Sequence, residues 1–215
     1  MIVTELPTNF TLPPPRQERG KGVHLSGIIR CIATEEGILK PEWAEELSLL
    51  DVRSITDPVA ILRISIGLAW EEWYIPTILG PVMGVMDHPG EMEVDGVYMT
   101  HDGESLSSVV ADRSDVNITP LVLMVHEVKA TYKRTNTVKD LRDQWMWIAQ
   151  VKGYCKGLGT RFAVVHVLFL CGDYSYPIKP QLRVWQLEFT QEEIDTNWDL
   201  LMEYKQYRLK LEAEN

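Results

Sequence analysis

The 215-residue chain has 31 acidic and 21 basic side chains, a net charge of −10, and 45% hydrophobic residues. These values are typical of a globular protein with one full core, and no apolar run is long enough for a membrane-spanning helix. Three cysteines without Cys-x-x-Cys spacing argue against a zinc ribbon, an iron–sulfur cluster and a disulfide framework. We expect a cytoplasmic protein with an extended, proline-rich N-terminal arm, residues 1–23, and a single domain, residues 24–215.

The first half of the chain predicts helices and then a strand. Residues 41–50 and 57–76 both have helical start signals, and the second segment is apolar nearly all round, which favours a buried helix. Residues 91–100 alternate as in a single strand, with Asp95 inside it. Asp102 belongs to a tight-turn signal that follows this strand.

The stretch 121–131 predicts a central strand, because it is apolar on both alternating faces. One face continues into Glu127 and Lys129, two ionisable groups one strand period apart. Burying both is costly unless they pair with each other or hold a metal. The strand alone does not decide between a simple Glu127–Lys129 ion pair and a metal site.

The second half predicts two more strands and two helices. One helix is predicted from about 137 to 155, ending around Gly157 and Gly159, and another from the capping box at Thr190 onward. The strands are predicted at 162–170 and 182–189. Gln150 and Tyr154 are four residues apart and share one face of the first helix. His126 and His166 are interpreted as hydrogen-bonded core residues, since no histidine-rich metal spacing is present.

Four short motifs occur in a fixed order: Gly67-Leu-Ala-Trp-Glu71, Val94-Asp95-Gly96, Glu127-Val128-Lys129 and Gln150-Val-Lys-Gly-Tyr154. Together they resemble the G-x-x-x-E, D-G, E-x-K and Q-x-x-x-Y motifs of the RecB-like and lambda-exonuclease (YqaJ-like) branch of the PD-(D/E)XK nucleases, of the phage type. The resemblance covers about residues 60–171. It implies an α/β (α+β) fold with a restriction-endonuclease-like αβββαβ core, in which helices flank a central mixed sheet.

The resemblance also implies roles for individual residues. Asp95 and Glu127 would be the main ligands of Mg²⁺ or Mn²⁺, with Glu71 and the Val128 carbonyl as further ligands, and Lys129 would orient the attacking water. The residues expected to position the site and the DNA phosphates are Gln150, Tyr154, Lys133 and Arg134. Because 31 residues separate Asp95 from Glu127, more than is usual in the family, Asp102 is the alternative ligand. The number of metal ions, one or two, stays open.

The activity implied by the resemblance is that of a metal-dependent deoxyribonuclease, most simply an exonuclease acting on DNA ends in recombination or DNA processing. It would need no nucleotide cofactor, would act in the host cytoplasm if phage-encoded, and would work as a ring-shaped homo-oligomer or with a recombination partner. A structure-specific endonuclease and a non-catalytic DNA-binding or assembly module are the alternatives. The acidic net charge favours the module, although residues 129–161 contain eight basic and only two acidic side chains.

Overall fold

The computed structural model of the chain describes residues 22–40, Leu49, 57–108 and 121–214. The predicted N-terminal arm, residues 1–23, lies outside this part except for its last two residues. The helix predicted at 41–50 lies outside it except for Leu49.

The described residues form five α-helices and eight strands. The helices are α1 (Leu25–Glu35), α2 (Pro58–Tyr74), α3 (Gly80–Met83), α4 (Trp145–Leu158) and α5 (Gln191–Glu214). The strands are β1 (Val23–His24), β2 (Met86–Asp87), β3 (Glu91–Val94), β4 (Val97–Thr100), β5 (Gly103–Ser108), β6 (Leu121–Thr131), β7 (Phe162–Phe169) and β8 (Gln181–Glu188). Among these described helices, none is both long and apolar enough to cross a membrane.

The main sheet has five strands in the order β2-β5-β6-β7-β8. β6 and β7 are parallel, and the other neighbouring pairs are antiparallel. A smaller sheet has the order β1-β4-β3. The central mixed sheet with flanking helices confirms the predicted fold class.

β6 is the middle strand of the main sheet and is covered on both faces. Val125 belongs to the large core formed with α1, α4 and α5. Val128, on the opposite face, packs in a smaller cluster with Tyr74 and Ile75 at the end of α2. The alternating apolar pattern of 121–131 therefore gave the correct prediction of a doubly covered strand.

α2 begins as predicted, since the Asp57 side chain accepts hydrogen bonds from the backbone N–H groups of Val59 and Ala60. The prediction that this helix is buried is wrong, because only Ile61 and Tyr74 of α2 are buried. Pro76 does not end the helical path either. It lies in a π-helical turn, Ile75–Leu79, that leads directly into α3.

The helix predicted from residue 137 starts later than expected. Asp140 caps a short 3₁₀ turn, Leu141–Asp143, by accepting the N–H of Arg142, and α4 begins only at Trp145. Its end is as predicted, with Gly159 in the left-handed conformation at φ 63°.

The capping box before α5 is confirmed. Thr190 N–H donates to Glu193 over 2.8 Å, and Glu193 N–H donates to the Thr190 hydroxyl over 3.1 Å. Both exchanges satisfy donors that the first helical turn leaves without partners.

The single strand predicted at 91–100 is in fact a hairpin, β3 and β4. Asp95 and Gly96 are its two-residue turn and have φ values of 50° and 68°. Two successive left-handed residues form a type I′ turn, for which Asp-Gly is a preferred pair. Asp102 is therefore not part of this hairpin turn. It lies in the short connection between β4 and β5.

Candidate active site

Glu127 and Lys129 lie on the face of β6 that is turned towards α4, with Val125 on the same side of the strand. Glu127 is 1% exposed and forms an ion pair with the Lys129 ammonium. Neither Glu127 carboxylate oxygen accepts a well-oriented hydrogen bond from the described part of the chain. A buried carboxylate with so little hydrogen bonding needs further positive charge or donors around it.

Asp102 reaches the same place from the neighbouring strand. β5 pairs with β6 so that Gly103 is opposite His126, which puts the preceding Asp102 beside Glu127 and Val128. The Val128 backbone N–H donates to Asp102 Oδ2 over 2.7 Å. Burial, together with the charge of Glu127, raises the pKa of Asp102 well above its usual range.

The structure does not bring Asp95 into this cluster. Its carboxylate accepts a hydrogen bond of 2.8 Å from the Trp198 indole N–H on α5, and its backbone carbonyl accepts one from Lys205. Asp95 therefore ties the β3–β4 turn to α5. Of the two aspartates considered from the sequence, Asp102 is the one beside Glu127.

Glu71, near the end of α2, lies close enough to raise the pKa of both Asp102 and Glu127 through its charge. Glu71 Oε1 is 2.5 Å from His88 Nε2, and His88 Nδ1 also contacts Asp87. The hydrogen bond to Glu71 is the main reason that the pKa of His88 is raised. His88 was not among the site residues predicted from the sequence, since it is brought to Glu71 only by the turn that precedes β3.

A hydrogen-bond chain connects Lys129 to α4. Lys129 Nζ donates to Gln150 Oε1 over 3.2 Å, and Gln150 Nε2 donates to the Tyr154 hydroxyl over 2.5 Å. Burial is the largest single influence on Lys129 and lowers its pKa, but the charges of Glu127, Asp102 and Glu71 together with the hydrogen bond to Glu127 outweigh burial and raise the pKa overall. The i,i+4 spacing of Gln150 and Tyr154 thus holds the ammonium in a fixed position beside Glu127.

The opposite face of β6 carries a buried polar chain. The Ser105 hydroxyl lies 2.9 Å from His126 Nε2, His126 Nδ1 lies 3.1 Å from His166 Nε2, and His166 Nδ1 lies 3.3 Å from the Tyr74 hydroxyl. Burial lowers the pKa of His126 to about 4 and that of His166 to about 3. Both imidazoles are therefore neutral at physiological pH, which confirms their interpretation as hydrogen-bonded core residues.

Lys133 and Arg134 follow β6 directly and are exposed. Lys133 Nζ donates to Gln144 Oε1 and lies 5.0 Å from the centre of the Trp147 ring. Both cations therefore lie at the carboxyl end of the strand that carries Glu127 and Lys129. They stay candidates for contacts with phosphate.

The donor set of the cluster fits a hard divalent cation. Three carboxylates, Asp102, Glu127 and Glu71, interact with one another and, among the residues that the structure describes, with a single ammonium, that of Lys129. No three His, Cys, Asp or Glu side chains in the described ranges surround a point closely enough to enclose a metal alone. Mg²⁺ is usually bound by one or two carboxylates, with water and substrate phosphate completing its shell, so Asp102 and Glu127 suffice as a protein contribution.

Comparison with known proteins identifies the fold. No protein-family profile matches the chain, and no curated protein matches its sequence. A phage-related exonuclease from Haemophilus somnus 129PT has a similar structure, with a TM-score of 0.56 at 13% identity over 90% of this chain and 96% of that protein. An alkaline exonuclease from Laribacter hongkongensis is also similar, with a TM-score of 0.48 at 13% identity over 91% of this chain and 94% of the other. The chain has the fold of the phage-related exonuclease, as the sequence resemblance implied.

Proposed function

We propose that this protein is a divalent-metal-dependent deoxyribonuclease that hydrolyses phosphodiester bonds as an exonuclease at DNA ends. The observation that carries the proposal is the cluster of Asp102, directly before β5, with Glu127 and Lys129 on the neighbouring strand β6 in the middle of the sheet. A buried carboxylate pair next to an ammonium has the composition of a phosphodiester-hydrolysing site. The shared fold with a phage-related exonuclease supports the choice of an exonuclease.

Asp102 and Glu127 would hold Mg²⁺ or Mn²⁺, with Glu71 and the Val128 carbonyl as further oxygen donors. Such an ion, when bound, supplies positive charge for the phosphoryl oxygens during hydrolysis. The charges of Glu127 and Glu71 raise the pKa of Asp102, and the charge of Glu71 raises that of Glu127, so a bound cation would relieve repulsion between these carboxylates.

The side chains around the carboxylates have separate tasks. Lys129 orients the attacking water and stabilises the negative charge that develops on it, while Gln150 holds the ammonium in position through the 3.2 Å hydrogen bond. Tyr154 fixes Gln150 in turn. Lys133 and Arg134 neutralise phosphates of the bound strand as it leaves the site.

The proposed setting is DNA recombination or processing in the cytoplasm, with DNA as the substrate and either other copies of the chain or a recombination protein as partner. The non-catalytic DNA-binding or assembly module remains the second candidate function, and a net charge of −10, which is unfavourable for binding phosphates, favours its assembly form. The two candidates differ in whether DNA is cut.

The test is cleavage of end-labelled linear duplex and of closed circular DNA, each with Mg²⁺, Mn²⁺ or EDTA. Metal-dependent loss of the linear DNA alone, absent in Lys129→Ala, is the expected result. Cutting of the circle would make the protein an endonuclease. Binding without any cutting by the wild type would favour the module. Thermal unfolding of Lys129→Ala verifies that its loss of cleavage is not a loss of the fold.

A further inference from the structure

Three consecutive exposed residues, 132–134, immediately follow β6, and each takes part in a contact between a cation and an aromatic ring. The contacts pair Arg63 with Tyr132 at 5.5 Å, Lys133 with Trp147 at 5.0 Å, and Arg134 with Tyr174 at 5.1 Å. Such pairs are favourable, but they leave much of these side chains in contact with solvent. We name Arg63, Tyr132, Arg134 and Tyr174 together the tyrosine platform.

The fold places this platform next to the candidate active site. β6 and β7 are parallel, so the connections that follow them lie at the same edge of the sheet. The Tyr174 hydroxyl, after β7, donates to the Tyr132 carbonyl over 2.7 Å. Tyr132 is three residues beyond Lys129, or about 10 Å along an extended chain. Arg63 lies on α2, the helix that also carries Glu71.

The backbone of Tyr174 is unusual. Its φ is +66°, a left-handed conformation that is uncommon for a bulky residue, and its side chain is 43% exposed. Burial in the core therefore does not account for an aromatic residue at this position. Backbone outliers of this kind cluster at active sites and ligand-binding positions.

Charge and shape together select the ligand. The platform joins two arginines to two tyrosines in a protein whose net charge is −10. One carboxylate, that of Asp173, is nearby, and its Oδ1 accepts a hydrogen bond from the Ser175 N–H. Arginines attract phosphates, and tyrosine faces stack on bases. In a duplex only the terminal pair exposes a base face, whereas successive unpaired bases all can, so the combination fits a single strand better than a duplex.

We infer that the tyrosine platform binds single-stranded DNA, with bases stacked on Tyr132 and Tyr174 and phosphates neutralised by Arg63 and Arg134. The inference rests on the proposed function in one respect, namely that the bound strand is one that passes through the site at Glu127 and Lys129. Stacking is tolerant of sequence because every base has an aromatic face, so the platform binds any base sequence.

The experiment measures fluorescence anisotropy of a labelled single-stranded oligonucleotide, and of one of equal length with abasic sites, in EDTA to prevent cleavage. The wild type binds the oligonucleotide with bases more tightly. Tyr174→Ala weakens this binding by about tenfold and leaves the abasic oligonucleotide almost unaffected, whereas Tyr174→Phe keeps the preference for bases. Arg134→Gln weakens binding of both and lowers the slope of log K against log salt by roughly 0.7.

The matched control is Tyr207→Ala, since Tyr207 is a similarly exposed tyrosine on α5. It should bind both oligonucleotides as the wild type does. Thermal unfolding verifies that each variant is folded, and Arg63→Gln tests the platform from α2 if Tyr174→Ala does not fold. A Tyr174→Ala protein that keeps the wild-type preference for bases would overturn the inference, and so would equal losses for both oligonucleotides.

The outcome separates this inference from the proposed function. A wild-type protein that prefers bases but never cleaves DNA with any metal would support the platform and refute the nuclease. Metal-dependent cleavage by a protein without any preference for bases would refute the platform alone.

Discussion

The backbone N–H of Val128 donates a hydrogen bond to Asp102 Oδ2 over 2.7 Å, and this contact places a carboxylate from the start of β5 next to Glu127 on β6. The two residues that carry the carboxylates are 25 positions apart in the sequence but adjacent in the sheet, because β5 and β6 pair in antiparallel register. The proposed metal site is thus built across one pair of strands. Asp102 is fixed by the main chain of the strand that carries the other carboxylate.

Replacing Asp102 is expected to abolish cleavage, while the same change at Asp95 is not. Asp102→Asn removes one of the two proposed metal ligands. It should lower kcat/KM by more than about a hundredfold, because a loss of about a hundredfold is already typical when a residue that only supports a metal ligand is replaced. Asp95→Asn keeps an oxygen that can accept the Trp198 N–H and should cleave at nearly the wild-type rate. Initial rates on linear duplex DNA measure both. The reverse ranking would return Asp95 to the site and remove Asp102.

The sequence correctly placed Glu127 and Lys129 on one face of a central strand, and Gln150 and Tyr154 on one face of a helix, because strand and helix periodicity are local signals. It could not decide between Asp95 and Asp102, since both are followed by glycine and only the pairing of β5 with β6 distinguishes them. The β3–β4 hairpin does have a local signal, because Asp-Gly between two alternating apolar runs is a preferred turn pair.

The exposure of α2 could not be predicted for a different reason. Its apolar residues surround the helix, but the amount of surface that neighbours cover depends on tertiary packing, and only Ile61 and Tyr74 are buried. The contact between His88 and Glu71 could not be predicted either, because the two residues are 17 apart in the sequence and His88 lies between strands β2 and β3.

Metal binding should stabilise the folded protein through Asp102. Adding Mg²⁺ at about 100 times its dissociation constant stabilises a protein by about 2.7 kcal/mol, which corresponds to a rise in Tm of roughly 5–10 °C for a chain of this size. The rise should be lost in Asp102→Asn and kept in Asp95→Asn. Differential scanning calorimetry with and without Mg²⁺ measures it. An equal rise in all three proteins would mean that the ion binds elsewhere.

Gln150 is expected to act through Lys129. Gln150→Ala removes the acceptor of the 3.2 Å hydrogen bond, so the ammonium loses its fixed position, and kcat should fall by roughly 10- to 100-fold with little change in KM. Steady-state kinetics on linear duplex DNA separate the two constants. Gln186→Ala, on β8, is the control and should leave both unchanged. A rise in KM with an unchanged kcat would instead show that Gln150 contacts the DNA.

The buried histidine pair should make the protein sensitive to acid. Well above the ordinary histidine pKa of about 6.5 both imidazoles are neutral in the folded and the unfolded chain, so the hydrogen-bonded pair stabilises the fold fully. As the pH falls below 6.5, the unfolded chain binds protons that the folded chain does not take up until about pH 4 at His126 and about pH 3 at His166. Stability should therefore fall by roughly 1 kcal/mol per pH unit for each imidazole between these limits. Urea unfolding at pH 8, 6 and 5 measures this slope.

His166→Gln should be less stable at pH 8, because Tyr74 and His126 lose their shared partner, but its stability should fall less steeply as the pH is lowered. His24→Gln leaves the pair intact and should keep the wild-type slope. An unchanged slope in His166→Gln would assign the acid sensitivity to other groups.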